Sequence, residues 1–248
     1  MSTEVDPREW LVAHRGWPDR YPENSLEGMR AVLDAGARYV EFDVQITADK
    51  RAVAIHDNDL TRLTGRGENV TSTTLAQLEG IPVTTRPGER AQIPTLEAML
   101  ALIGQYPGVT AFVELKRQSI RHHGRRFAVE LVMQHLRQPP CPVVFLSFKW
   151  RAVRLARQMG APATGWAFRS WTPLTRWFAR RLQPDYLFIR ADRVPARSRP
   201  FWPGQWQWAI YRVDDLDAAR SLRARGADLV EVDDLPGLLT DADSRHGS

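Results

Sequence analysis

The stretch Thr110-Ala111-Phe112-Val113-Glu114-Leu115, a helix-like segment from Arg121 to Leu136, and then Val143-Val144-Phe145-Leu146-Ser147-Phe148 carry the fold assignment. A short apolar run, a helical crossover and a second short apolar run are how parallel strands are joined. The same rhythm continues with a helix over Lys149 to Met159 and a strand over Thr164 to Phe168. Further strands are expected at Tyr186 to Ile189, Trp208 to Val213 and Leu229 to Val232, with a helix over Asp215 to Arg225. On the N-terminal side, Leu11-Val12-Ala13, Tyr39 to Ile46 and Ala52 to Ile55 read as strands. Asn24-Ser25 can cap a helix running to about Leu33, with Gly36 as its stop. About eight such units in 248 residues fit a closed α/β barrel, the TIM (β/α)8 fold, which needs about 250 residues. A doubly wound sheet is the alternative, but no GxGxxG and no GxxxxGK followed by Ser or Thr supports a nucleotide fold. The chain is expected to be a single domain over 1–248. An irregular Thr-, Gly- and Arg-rich stretch, roughly 58–93, reads as an insertion or long loop.

Hydrophobic content of 43% and charged content of 25% are those of an ordinary globular chain. The net charge is +5, and apart from Lys50, Lys116 and Lys149 the basic residues are arginines. An arginine surplus attracts nucleic acid, anionic lipid or phosphate substrates. These arginines are dispersed apart from short pairs, which favours genomic base composition as their origin, and no nucleic-acid partner is expected. Cys141 is the only cysteine; it reads as a structural thiol and excludes an intrachain disulfide. The opening Met1-Ser2-Thr3-Glu4-Val5-Asp6 is acidic and lacks the apolar core of a secretory signal. No apolar run reaches the roughly 20 residues of a membrane span. The cytoplasm is the expected location.

Chemistry concentrates at the ends of predicted strands: His14-Arg15-Gly16, Glu41-Phe42-Asp43, His56-Asp57, Glu114-Leu115-Lys116 and Val232-Asp233. Period-two alternation places Glu41 and Asp43 on one face, with Val40, Phe42 and Val44 on the other. Two ionised carboxylates buried side by side cost several kcal/mol, about what a hard divalent cation with oxygen ligands removes. Glu114 and Lys116 repeat that spacing on a separate strand. The bland alternative is a pair of exposed strand faces matched by arginines, but the inward face of a barrel is buried. His14 and His56 both follow strands and so reach one barrel mouth, where an imidazole can take or give a proton. Arg15 offers a planar fork for phosphate oxygens and Lys116 a second positive point. His122, His123, His135 and His246 are expected on helix surfaces or in the tail.

The series His14-Arg15-Gly16, Pro22-Glu23-Asn24-Ser25, Gly36-Ala37, Val40-Glu41-Phe42-Asp43-Val44, Thr47, Asp49 and His56-Asp57 resembles the glycerophosphodiester phosphodiesterase family. Thr61-Arg62-Leu63-Thr64-Gly65, Pro94-Thr95-Leu96-Glu97, Val113-Glu114-Leu115-Lys116 and Ser147-Phe148 continue the likeness, which is dense over residues 11–116. The resemblance implies a TIM barrel with a small insertion after the second strand. It implies metal-dependent hydrolysis of glycerophosphodiesters to an alcohol and glycerol 3-phosphate. It puts His14 and His56 in the family's general acid/base positions and Glu41, Asp43 and Glu114 in its metal-ligand positions. Arg15 and Lys116 fall in its phosphate-contacting positions, and the implied cofactor is a divalent cation, Mg²⁺ or Ca²⁺. The alternatives are a lysophospholipase D or phospholipase-C-like activity on a lipid, and a non-catalytic phosphate- or lipid-binding protein.

Two places depart from the family pattern. Tyr211-Arg212-Val213-Asp214 stands where the family usually has Trp-Thr-Val-Asn, and Val232-Asp233, preceded by Glu231, replaces its usual Thr-Asp. Both fall at the barrel end that shapes the substrate pocket. Gly36 to Asp43 also echoes Gly226 to Asp233, so Glu231 and Asp233 share a strand face as Glu41 and Asp43 do. Residues 166–212 crowd tryptophans with arginines, which suits helix-to-barrel packing with solvated arginines, or else a peripheral membrane contact or the acyl tail of a lysophospholipid.

Overall fold

The computed structural model describes residues 5–84, 89–195 and 201–246, with side chains to 243. It opens with β1 (Leu11–His14), α1 (Leu26–Asp34), β2 (Tyr39–Ile46) and β3 (Ala52–Ala54). The next segment holds α2 (Thr61–Thr64), α3 (Leu75–Glu79), β4 (Val83–Thr84) and β5 (Arg90–Ala91). The regular repeat then runs α4 (Leu96–Ile103), β6 (Thr110–Leu115), α5 (Arg117–His123), α6 (Arg125–Leu136), β7 (Val143–Ser147) and α7 (Trp150–Gln158). It finishes with β8 (Thr164–Phe168), α8 (Pro173–Leu182), β9 (Tyr186–Arg190), β10 (Gln207–Tyr211), α9 (Leu216–Ala224), β11 (Leu229–Val232) and α10 (Leu235–His246).

Eight strands pair in parallel in the order β1-β2-β6-β7-β8-β9-β10-β11, and β11 returns to β1, closing a TIM barrel. On β2 the side chains of Val40, Phe42, Val44 and Ile46 face outward into the main helix-covered core. Inside the barrel, Val12, Phe112, Val144, Leu146, Ala167, Phe188, Ala209 and Leu229 form an apolar plug. The rings of Phe112 and Phe188 meet edge-on at 5.1 Å. A fully buried side chain of this size contributes roughly 1.5–3 kcal/mol. Above the plug the inward positions turn polar, and there the barrel stops being core and becomes a site.

Two expectations change in the structure and two open readings are decided. Ala52–Ala54 is no barrel strand: β3 pairs antiparallel with the far end of β2, Val44 opposite Ala54 and Ile46 opposite Ala52. His56 therefore reaches the barrel mouth on a hairpin that folds back, because β2 outruns the barrel. The segment before Ile93 is more ordered than a long loop. Leu60, Leu63, Val70, Leu78, Ile81, Val83, Ala91 and Ile93 give it a small core of its own, and Thr74 with Gln77 builds a capping box on α3. Residues 85–88 lie outside the described residues. The helix expected from Arg121 to Leu136 is two helices, divided at Gly124 with φ +84°. Ser25, not Asn24, caps α1, accepting from the Gly28 N–H at 3.0 Å.

The tryptophans of the Trp- and Arg-rich region are mostly core, and its arginines Arg169, Arg180 and Arg181 are exposed. Trp166, Trp202, Trp206 and Trp208 are buried, and Trp171 packs 4.3 Å from Trp202 and 4.9 Å from Trp208. Leu174 and Trp177 on α8 remain 64% and 49% exposed. Cys141 is buried, and burial pushes its thiol up to about 11, as suits a structural residue. His122 is exposed and His123 and His135 are half-buried on their helices, while the His246 side chain lies outside the described residues. Among the described residues no helix is long and apolar enough to cross a membrane.

Candidate active site

His14 ends β1, and the backbone turns immediately after it. Arg15 adopts φ +58° and Gly16 φ +81°. A left-handed non-glycine residue costs about 1–3 kcal/mol and persists only where its surroundings hold it. Here the Arg15 N–H donates to the Glu41 carbonyl at 2.8 Å and the Asn24 N–H to the Arg15 carbonyl at 2.9 Å. A Cβ on residue 16 would sit 2.7 Å from the Gly28 carbonyl carbon, so only glycine lets this turn lie on the first turn of α1. The result aims His14 and Arg15 into the barrel mouth.

The neighbouring strands supply the acids. His14 is in register with Glu41 on β2, and Asp43 with Glu114 on β6. Oxygens of Glu41, Asp43 and Glu114 lie within 4.8 Å of one another, and all three residues are buried. Lys116 Nζ stands 2.9 Å from Asp43 Oδ1 and 2.8 Å from Glu114 Oε1. Arg15 Nε stands 2.9 Å from Asp43 Oδ2. The Asn24 amide donates to Asp43 Oδ2 at 3.2 Å, and its oxygen accepts the Asp43 backbone N–H at 2.9 Å. Burial pushes Asp43 upward, but the Arg15 and Lys116 cations outweigh it and hold the carboxyl far below its ordinary value. Glu41 goes the other way: burial, then repulsion from Asp43, Glu231 and Glu114, raises it well above the usual range. Its Oε2 is buried without a hydrogen-bond donor among the described residues.

The two histidines are held alike. His14 Nδ1 lies 2.6 Å from Asp233 Oδ1, and His56 Nδ1 lies 2.6 Å from Asp57 Oδ1. Burial pushes Asp233 upward, but the hydrogen bond from His14 together with the His14, Arg15 and Arg212 charges outweighs it and lowers the carboxyl; Asp57 is lowered too, hydrogen bonds from Arg62 and His56 together outweighing burial. An ionised carboxylate has no proton to give, so each Nδ1 carries the hydrogen and each Nε2 is left with its lone pair. Arg62 anchors the His56 side, donating from Nε to Asp57 Oδ2 at 2.5 Å and in a fork to both oxygens of Glu23 at 2.8 Å. Burial, reinforced by Arg15 and Lys116 against the pull of Asp43, lowers His56 below the ordinary imidazole value.

His14, Arg15, Glu41, His56, Glu114 and Lys116 line one cleft of about 770 Å³. Asp43 stands immediately beneath, ion-paired to Arg15 and Lys116. All seven residues singled out in the sequence thus meet at one mouth. Arg169, Arg190, Arg193 and Arg212 add positive charge to the cleft, which Phe148 and Tyr211 also line.

Residues 14–202 match the model of the glycerophosphoryl diester phosphodiesterase family. The chain belongs to that family. Its members are phosphoric diester hydrolases. A glycerophosphodiester phosphodiesterase of Caldanaerobacter subterraneus subsp. tengcongensis is 34% identical, over 90% of this chain and 93% of its own length. One from Bacillus altitudinis is 33% identical over 50% of this chain and 52% of its own. Among solved structures, an Oleispira antarctica phosphodiesterase in complex with the product sn-glycerol-3-phosphate has a TM-score of 0.79 at 24% identity. That alignment covers 94% of this chain and 96% of the other; at this identity it speaks for the fold alone.

The geometry of this family member suits a hard divalent cation. Three buried carboxylates converge from two adjacent strands, and the Glu41 oxygen without a donor is what an oxygen-seeking cation takes up. Several functional contacts were missed by sequence reasoning. Asn24 reads as a helix cap yet grips Asp43; Glu23 and Arg62 read as parts of the family likeness, yet buttress Arg15 and His56. Asp57 and Asp233 were visible as motif letters, and only their 2.6 Å contacts give them work. Glu231 faces the same mouth, 3.4 Å from His14 Nε2.

Proposed function

We propose that this protein hydrolyses glycerophosphodiesters to an alcohol and glycerol 3-phosphate. The observation that carries the reading is the meeting of two carboxylate-oriented imidazoles and three buried carboxylates around one cleft. Glu41, Asp43 and Glu114 would hold a divalent cation, Mg²⁺ or Ca²⁺, which supplies positive charge against the phosphoryl oxygens. Arg15 and Lys116, both fixed by Asp43, flank the reacting phosphate and add charge stabilisation as negative charge builds on it. His56 enters neutral, because burial lowers it, and takes the proton from the nucleophile at Nε2. The nucleophile is water, or the glycerol hydroxyl beside the phosphate, which expels the alcohol to form a cyclic phosphate that water then opens to glycerol 3-phosphate. His14, its Nδ1 hydrogen held by Asp233, first takes a proton from solvent at Nε2 and, as the imidazolium, gives that proton to the leaving alkoxide.

The domain reading is one catalytic unit over 1–248, with the β3–β5 segment as an arm that delivers His56. The cytoplasm remains the expected site of action. A second reading, a lysophospholipid as substrate, is favoured by one observation: Leu174 and Trp177 stay exposed on α8, whose first turn follows the mouth end of β8. Membrane contact would then accompany turnover, and sedimentation with anionic vesicles separates the two readings.

The test is His14→Ala and His56→Ala, assayed by release of glycerol 3-phosphate from glycerophosphocholine in Mg²⁺ or Ca²⁺. Each variant should lose about 10²–10⁴-fold in rate while keeping its circular dichroism spectrum. Retention of more than about a tenth of the wild-type rate by both removes the proposed roles.

A further inference from the structure

His14 has an acidic pair on each side. β2 carries Glu41-Phe42-Asp43 and β11 carries Glu231-Val232-Asp233, and β1 lies between them, paired to both. The reaction outlined above uses the β2 pair and leaves Glu231 without a task. Glu231 is only 4% exposed and Glu41 only 2%, so water does not solvate either carboxylate freely. His14 Nε2 lies 3.4 Å from Glu231 Oε1 and 3.9 Å from Glu41 Oε2. The three side chains together offer one nitrogen and two oxygens within 4.8 Å.

We propose that Glu41, Glu231 and His14 form a second cation seat, next to the three-carboxylate one and sharing Glu41 with it. Three observations converge on it. Glu41 Oε2, 3.9 Å from His14 Nε2, is buried with no hydrogen-bond donor among the described residues. Asp233 fixes the Nδ1 hydrogen of His14 at 2.6 Å, so the Nε2 lone pair points at the two carboxylates, the outer-sphere arrangement that orients metal-binding imidazoles. Spacing is the third: a tetrahedral ion with ligand bonds of about 2.0–2.2 Å has ligand-to-ligand edges of roughly 3.3–3.6 Å, which the 3.4 Å between His14 Nε2 and Glu231 Oε1 meets and the 3.9 Å to Glu41 Oε2 slightly exceeds. All three ligands stand on adjacent strands of a closed barrel and are positioned before any ion arrives.

The donor set selects the ion. One imidazole with two carboxylates suits a borderline transition cation, Zn²⁺ foremost, whereas three carboxylates suit Mg²⁺ or Ca²⁺. The two seats should therefore discriminate. Occupancy of the second takes the His14 lone pair away from proton transfer, so Zn²⁺ should suppress turnover in enzyme already saturated with Mg²⁺. That consequence rests on the role proposed for His14; the seat itself does not.

The test is isothermal titration of ZnCl₂ into the whole protein in saturating Mg²⁺, with Mg²⁺ affinity measured separately. Wild type should take up one Zn²⁺ per chain without releasing Mg²⁺. Glu231→Gln and His14→Asn should each weaken Zn²⁺ binding at least ten-fold and keep Mg²⁺ binding. Glu114→Gln should do the reverse, which also controls for folding. No Zn²⁺ uptake by wild type, one-for-one displacement of Mg²⁺, or undiminished Zn²⁺ affinity in both Glu231→Gln and His14→Asn would overturn the proposal. Calorimetry and hydrolysis fail separately: an inactive protein that still binds Zn²⁺ in this pattern retains the second seat and loses only the catalytic reading.

Discussion

Replacing Asp233 by Asn keeps the shape of the side chain beside His14 and removes its charge. In the native site the carboxylate accepts the Nδ1 hydrogen at 2.6 Å and so leaves Nε2 as the working nitrogen. A hydrogen bond to a charged group is worth about 1.5–3 kcal/mol. The Asp233 side chain is 44% exposed, so water screens the interaction and the lower part of that range applies, roughly 1.5–2 kcal/mol. At about 1.36 kcal/mol per decade, the variant should lose roughly 10–30-fold in kcat. KM should change little, because Asp233 acts through His14 and positions it. The assay is steady-state release of glycerol 3-phosphate from glycerophosphocholine, run beside His14→Ala as the fully disabled reference. A kcat within about threefold of wild type, with an unchanged melting temperature, would show that the imidazole needs no such partner and would refute the reasoning.

Cation binding at the three-carboxylate seat should raise the melting temperature: a ligand at 100 times its dissociation constant adds about 2.7 kcal/mol, or roughly 5–10 °C in a domain of this size. Glu41→Gln should abolish that shift in differential scanning calorimetry. It should also raise the melting temperature of the cation-free protein, since it removes a buried carboxylate that burial and three neighbouring acids disfavour. The acid limb of kcat/KM should lie below the ordinary imidazole value near 6.5, because burial lowers His56 and its neutral form persists as pH falls. The stability that the neutral His56 contributes is correspondingly complete above about 6.5 and is lost as pH drops through the lower folded value. Asp57→Asn removes a partner that raises His56 and should move the limb further toward acid in a pH–rate profile. Gly16→Ala should cost at least about 2 kcal/mol, from a left-handed residue and a 2.7 Å contact with the Gly28 backbone; chemical denaturation would measure it.

The barrel was legible because parallel strands buried on both faces leave short apolar runs between helices. The acids were legible because period-two spacing shows at a glance which side chains share a face. The insertion was harder to read. Leu60, Leu63, Val70 and Leu78 are scattered without a period, and only their packing on Val53 and Ile55 turns them into a core. Ala52–Ala54 looked like any other strand, since an apolar tripeptide does not declare whether its partner runs with it or against it. The tryptophans between 166 and 208 presented the same difficulty, because burial of an aromatic ring depends on what covers it.

Residue order alone was enough to establish a closed α/β barrel, seven polar side chains at its mouth and the family to which the chain belongs, since alternation and spacing are local properties of the backbone. Partnership was settled only by folding. That Asp233 meets His14 across 219 positions of sequence and that Glu41 stands between two acidic neighbourhoods follow from barrel closure, while Asn24 holds Asp43 through the pairing of β1 with β2. Closure sets β11 against β1, and no local pattern encodes which strands will meet there.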